Sequence, residues 1–261
     1  MNNIDQSENK YVNFVNDEHL LKCISHLYYS YVEAKREITK KKFYKNKIDT
    51  IKLTFDSKFN DLTEDEIVDF ELSRQIDKSV NNAIGTFHEE VLGGVNGYSS
   101  GKHLGYDLKA DDNALFAEIK NKHNTMSSSA AESSFQRLAR FADNNKLAEC
   151  FLVQIWAKKS FVKKWAGIIN GKEYSHSRVN MISGDKFYEK ITGREKALFE
   201  LYQSLPKAIE DFLKTIDIVK SQEHTLLADI SNSGKKSGRE ILNEITFENF
   251  FYYSGFEQLR Q

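Results

Sequence analysis

Residues 105–125, GYDLKADDNALFAEIKNKHNT, decide the fold of the central part of this chain. Their second half alternates with a period of two, which is typical of a β-strand. One face of that strand would carry Leu115, Ala117 and Ile119, and the other would carry Phe116, Glu118 and Lys120. Turn-forming residues precede it at Asp111-Asp112-Asn113. The stretch therefore predicts a β-hairpin that buries one face and presents a carboxylate beside an ammonium group on the other.

This hairpin would bring two acidic side chains together. If the chain reverses around residues 111–113, antiparallel pairing places Asp107 opposite roughly residue 117, one position from Glu118. Cross-strand neighbours lie about 5 Å apart, and two carboxylates that close repel each other unless a cation compensates or one is protonated. Mg²⁺ prefers such oxygen ligands. With Lys120 beside the metal, this is chemistry for hydrolysing a phosphodiester. Ordinary surface charges on an exposed hairpin are the alternative.

The arrangement of Asp107, Glu118 and Lys120 resembles the signature of the PD-(D/E)XK nucleases. The wider run EIKNKHNT at 118–125, preceded by FHEEVLGGVNGY at 87–98, resembles more narrowly the type II restriction endonucleases that cut GGNCC-like sites. The resemblance covers about residues 75–215. It departs from the family pattern at Tyr106, where the signature has a proline.

The resemblance implies a role for each matching residue. Asp107 and Glu118, with Ile119 between Glu118 and Lys120, would bind Mg²⁺, and Lys120 would position or activate the attacking water. In such nucleases the helix before the hairpin often brings another carboxylate towards the metal. Glu89 is the first candidate for that carboxylate and Glu90 the second, and a solvent-facing acid pair is the alternative.

Polar residues beyond the catalytic strand are candidates for DNA contact. Asn121, Lys122 and Asn124 follow the strand directly. The polar segment 171–184 adds Lys172 and Arg178, which are of the types that hydrogen-bond guanine in the major groove. A loop without function is the alternative for that segment.

The composition describes a soluble globular protein of 261 residues, with 40% hydrophobic and 29% charged residues. No segment approaches the roughly 18 apolar residues needed to span a membrane, and the polar N-terminus lacks the features of a signal peptide. Two isolated cysteines, Cys23 and Cys150, favour reduced thiols in a cytoplasmic protein. The net charge of −1 does not decide whether DNA is a partner, because lysines cluster locally, as at residues 158–164.

Periodicity predicts further elements around the hairpin. Helices are expected over 17–42, from Thr63, over 72–92 ending at Gly93-Gly94, over 130–142 with Ser129 as a cap, and over 185–215 with an interruption at Pro206. Residues 150–157 predict a strand buried on both faces. Gln154 within that strand would lie near the metal cleft or at a sheet edge. An aromatic cluster at 247–256 would pack on the body of the protein or on a second subunit.

These observations predict an α/β (α+β) fold with a restriction-endonuclease-like core, in which helices flank a central mixed sheet. The expected division is a helical region at 1–70, a nuclease core at 71–215 and an extension at 216–261. The resemblance implies a Mg²⁺-dependent type II restriction endonuclease that cuts double-stranded DNA. It also implies a methyltransferase acting on the same site. A short palindromic target favours a homodimer. A structure-specific or repair nuclease, and a catalytically silent DNA-binding module, are the alternatives.

Overall fold

The computed structural model describes residues 9–36, 39–101, 104–122, 126–216 and 241–250. The chain divides into two compact units, one of residues 1–27 and 83–217 and the other of residues 28–82 and 218–261. Two of the three boundaries fall within helices, one in α1 (Asp17–Arg36) and one in α4 (Glu64–Gly93). The aromatic cluster at 247–256 lies outside the residues whose side chains are described.

The second unit is helical where it is described. It contains α2 (Lys40–Lys45), α3 (Thr50–Phe59) and α8 (Ile241–Phe250), together with the adjoining parts of α1 and α4. Its core is built from aliphatic and aromatic side chains, including Phe43, Leu53, Val68, Ile241 and Ile245.

Helix α4 begins at the position predicted from the sequence. Thr63 accepts a hydrogen bond at Oγ1 from the Glu66 amide, and Glu66 accepts one from the Thr63 amide at 2.8 Å, a reciprocal cap. The helix then runs without interruption from Glu64 to Gly93. The two separate helical runs expected over this region are therefore a single helix, which ends where Gly93-Gly94 predicted.

The first unit is built on a sheet with the strand order β1-β2-β3-β4-β8-β5 in the described residues. Strands β3, β4 and β8 are parallel, whereas β1, β2 and β5 pair antiparallel with their neighbours. A separate hairpin pairs β6 with β7. The strands are β1 (Tyr98–Ser100), β2 (Leu108–Ala110), β3 (Leu115–Lys122), β4 (Glu149–Trp156), β5 (Val162–Lys164), β6 (Gly167–Ile169), β7 (Lys172–Tyr174) and β8 (Val179–Ser183).

The predicted hairpin is formed by β2 and β3. Leu108 pairs with Ala117, and the Asp107 amide donates to the Ala117 carbonyl at 2.9 Å. Asp107 therefore lies opposite Glu118, one position beyond the predicted partner at about residue 117. Asn113 adopts a left-handed φ of 60° in the turn. Phe116 is as buried as the opposite face, so the expected polar face begins only at Glu118 and Lys120.

Helix α5 (Ser128–Asn144) connects the parallel strands β3 and β4. It is capped by Ser127, whose side chain accepts from the Ala130 amide, so the cap lies two residues before the expected Ser129. Strand β4 is buried on both faces because its residues alternate between two helical layers. Leu152 packs in the cluster beneath α5, while Phe151 contacts Phe187 of α6 (Gly184–Thr192). The predicted α/β fold with a mixed sheet flanked by helices is confirmed.

The region after β7 differs from expectation. The segment 171–184 contains strand β8, which pairs with both β4 and β5. The helical region that follows breaks at Gly193, which has a left-handed φ of 68°, and not at Pro206. Pro206 lies inside α7 (Ala197–Leu213). None of the helices in the described ranges is long and apolar enough to cross a membrane.

Candidate active site

Glu118 is the centre of a charged cluster on β3. Its side chain is only 9% exposed, and each of its carboxylate oxygens contacts a different cation. Oε1 lies 2.7 Å from Lys120 Nζ, on the same face of the same strand. Oε2 lies 2.9 Å from a guanidinium nitrogen of Arg137 on α5. The burial of this carboxylate is thus compensated by two ion pairs.

Asp107 lies just before β2, opposite Glu118 in the extended register of the hairpin. Its Oδ2 accepts a hydrogen bond of 2.6 Å from the Ile119 amide. Burial raises the pKa of Asp107, and the negative charge of Glu118 raises it further, while the Ile119 hydrogen bond, Lys120 and Arg137 act in the opposite direction. The repulsion between neighbouring carboxylates that was expected from the sequence is therefore present in the fold.

Arg137 is the charged residue of the cluster that the sequence pattern alone does not single out. Its Nη2 also lies 3.3 Å from Ser134 Oγ. Its Nε is buried and has no hydrogen-bond partner among the described residues. In the sequence, Arg137 and Arg140 are equivalent polar positions on an amphipathic helix. Only the packing of α5 against β3 distinguishes them, and Arg140 remains exposed.

The oxygen atoms at this position fit a hard divalent cation. Asp107 and Glu118 supply carboxylates, and the Ile119 main-chain carbonyl is an oxygen of the kind that also binds Mg²⁺. The described residues contain no group of three or more His, Cys, Asp or Glu side chains that could hold a metal. A cation here would therefore depend on these two carboxylates, a main-chain oxygen and water.

A family model for the Eco47II restriction endonuclease matches residues 12–214. The chain belongs to the Eco47II restriction endonuclease family. The type II restriction enzyme Sau96I of Staphylococcus aureus is 39% identical over 251 residues, which are 93% of this chain and 96% of that enzyme. The type II restriction enzyme Eco47II of Escherichia coli is 29% identical over 218 residues, 77% of this chain and 87% of that enzyme. The expected type II restriction endonuclease is confirmed.

The two other candidate acids of this restriction endonuclease, Glu89 and Glu90, lie near the C-terminal end of α4. Glu89 is half-buried on α4. The Glu90 carboxylate lies 3.1 Å from His26 Nδ1, and its main-chain carbonyl lies 2.7 Å from His19 Nε2. Glu90 is thus engaged with α1.

Residues at the end of β3 lie close to the charged cluster. Asn121 is half-buried, and its Oδ1 has no hydrogen-bond partner in the described part of the chain. Lys122 is exposed at the last position of the strand. Gln154 of β4 is in register with Lys120, so it lies beside the site in the middle of the sheet and not at an edge. Asn124 lies outside the described residues.

The two candidates from the later polar segment make contacts with α5 or its end. Lys172 is 71% exposed, and its ammonium lies 3.4 Å from Glu132. Arg178 donates to the main-chain carbonyl of Asn145 at 2.9 Å and to that of Lys146. Arg178 therefore holds the C-terminal end of α5 against β8. The Lys172 side chain stays largely exposed beside Glu132.

Proposed function

We propose that this enzyme hydrolyses phosphodiester bonds in double-stranded DNA at a short palindromic site of the GGNCC type. The reaction would use Mg²⁺ bound by Asp107, Glu118 and the main-chain carbonyl of Ile119, in an active site of the PD-(D/E)XK class. One observation carries the proposal: the half-buried carboxylate of Asp107, whose pKa is raised, and the buried carboxylate of Glu118 lie opposite each other on one hairpin, and Lys120 contacts Glu118. Membership of a restriction endonuclease family supports it.

The chain's own groups account for the other requirements of the reaction. A divalent cation bound here would supply Lewis-acid stabilisation and a more acidic bound water. The Ile119 amide fixes Asp107 through its 2.6 Å hydrogen bond. Lys120 is 31% exposed, so its ammonium can leave Glu118 and face a phosphate oxygen or the attacking water. In-line attack on phosphorus would leave 5′-phosphate and 3′-hydroxyl ends.

The DNA contacts and the assembly are part of the same proposal. Glu89 would assist from α4, and the five candidate DNA-contact residues are Asn121, Lys122, Asn124, Lys172 and Arg178. A palindromic target presents the same half-site twice, which a two-fold symmetric protein matches, so we propose a homodimer. A methyltransferase acting on the same sequence would protect the host DNA, and both proteins would act in the cytoplasm.

Digestion of a plasmid of known sequence tests this proposal. With Mg²⁺ we expect discrete fragments whose ends map to GGNCC sites, and with EDTA no fragments. Lys120→Ala should abolish cutting, while Lys109→Ala should not, since Lys109 lies on the same hairpin but contacts Asn113 in the turn. A smear or a preference for junctions would favour a structure-specific or repair nuclease. Binding without cleavage would favour a silent DNA-binding module.

A further inference from the structure

Arg137 contributes to the charge balance around the two carboxylates of the site. The two carboxylates of Asp107 and Glu118 are matched by two cations, Lys120 and Arg137, and Glu118 contacts both. We propose that Arg137 is a positioning residue that competes with the divalent cation for Glu118 and thereby sets the metal affinity of the site. This inference rests on the proposed function, in which Glu118 is a metal ligand.

The contacts of Arg137 differ from those of a purely structural arginine. A guanidinium that only supports the fold normally has its buried donors paired, yet Nε of Arg137, whose side chain is 35% exposed, is buried without a partner among the described residues. The stem of the side chain lies close to the loop that leads into Asp107, because a Cβ on Gly105 would lie 3.6 Å from Arg137 Cδ. Packing thus holds the guanidinium beside both acids with one donor unused.

Competition follows from the position of the guanidinium. Its Nη2 lies 2.9 Å from Oε2 of Glu118, an oxygen that a bound metal would also need. A divalent cation that approaches the two carboxylates is also repelled by the positive charge of Arg137. Because Arg137 contacts Glu118 directly, solvent screens that repulsion only in part. Once Glu118 binds a metal, the exposed part of the Arg137 guanidinium can face a DNA phosphate oxygen instead. Arg137 would therefore delay tight metal binding until DNA is present.

Titration of Mn²⁺ into the DNA-free enzyme, followed by calorimetry, tests the competition without cleavage as the readout. We expect Arg137→Met to bind Mn²⁺ about tenfold more tightly than the wild type, a difference of about 1.4 kcal/mol. Arg140→Met removes the same charge from an exposed position of the same helix and should leave the affinity unchanged. If Arg137 is only structural, its replacement would leave Mn²⁺ binding the same or weaken it, and the inference would be wrong.

Two further variants serve as controls, one for misfolding of Arg137→Met and one for the proposed role of Glu118. Arg137→Gln keeps an amide donor for Glu118 without the charge, so it should also bind Mn²⁺ more tightly, and it replaces Arg137→Met if thermal melting shows that the latter does not fold. Glu118→Gln should lose both Mn²⁺ binding and cleavage. If it does so while the Arg137 variants match the wild type, the inference fails and the proposed function stands. If Glu118→Gln still binds Mn²⁺ and still cuts DNA, both are overturned. If the wild type and both Arg137 variants all bind no Mn²⁺ without DNA, removing Arg137 does not restore binding and the competition is refuted, whereas the proposed function is still tested by cleavage.

Discussion

Replacing Asp107 by Asn should stabilise the metal-free protein while abolishing cleavage. The pKa of Asp107 is raised by burial and by the charge of Glu118, so its ionised form opposes folding at neutral pH. Asn fits the same space, and its oxygen can still accept the hydrogen bond from the Ile119 amide. The substitution removes the unfavourable charge and keeps the favourable contact.

The size of the effect follows from the geometry of the hairpin. Two unit charges about 5 Å apart repel by roughly 3 kcal/mol at an effective dielectric constant of about 20. Lys120 and Arg137 act against that repulsion. We therefore expect a net gain of about 1 kcal/mol in the free energy of unfolding, which raises the Tm of a protein of this size by about 2–4 °C.

Thermal melting in EDTA measures the stability of the metal-free protein, and melting in Mg²⁺ measures how much metal binding adds to it. In EDTA the Tm of Asp107→Asn should exceed that of the wild type, and only the wild type should gain stability when Mg²⁺ is added. The gain should be largest at neutral pH and vanish below the ordinary pKa of 3.8, where the carboxyl group is protonated in both folded and unfolded states. Asp111→Asn in the exposed turn is the matched control and should change neither quantity. A Tm several degrees lower than that of the wild type in EDTA would refute the reasoning, because the carboxylate would then stabilise the fold.

Three other predictions concern separate parts of the molecule. Lys120→Ala should lower kcat by about 10²–10⁴-fold while gel-shift affinity for DNA stays close to the wild-type value; unchanged cleavage would remove Lys120 from the mechanism. Gly184→Ala should cost about 1–3 kcal/mol in urea unfolding, because the new Cβ would lie 2.7 Å from the Ile155 main chain; an unchanged midpoint would contradict this. His88 has its pKa lowered from 6.5 to about 4 by burial, so stability should be lost as the pH falls through that interval. His88→Gln can keep the hydrogen bond to Tyr188 without titrating, and it should flatten the pH dependence of Tm; an equally steep dependence would argue against His88 as its source.

The hairpin was predictable because its determinants are local. Turn residues at 111–113 and the alternation over 114–120 fix which residues pair, and the register between β2 and β3 follows. The family resemblance supplied the roles of Asp107, Glu118 and Lys120. Arg137 was not predictable in this way, since its importance depends on the packing of α5 against β3, which the spacing of residues along the helix does not encode.

Buried polar residues explain two other differences. Glu71 and Gln75 are buried on α4. Glu71 pairs with Arg74, and Gln75 donates a hydrogen bond to the Phe43 carbonyl. The apolar period of the sequence therefore breaks there although the helix is continuous. In β8, Ser183 can occupy a buried position because its hydroxyl accepts a hydrogen bond from the Phe161 amide. Satisfied hydrogen bonds let such side chains occupy core positions that a sequence pattern assigns to a loop or a helix boundary.

The four charged groups of the site, from Asp107 to Arg137, come from one uninterrupted segment that forms β2, β3 and α5. A genetic exchange with both breakpoints outside this segment transfers the whole charge arrangement as a unit. Lys172 and Arg178, the two candidate DNA-contact residues outside the segment, can then diverge while this charge arrangement is inherited unchanged.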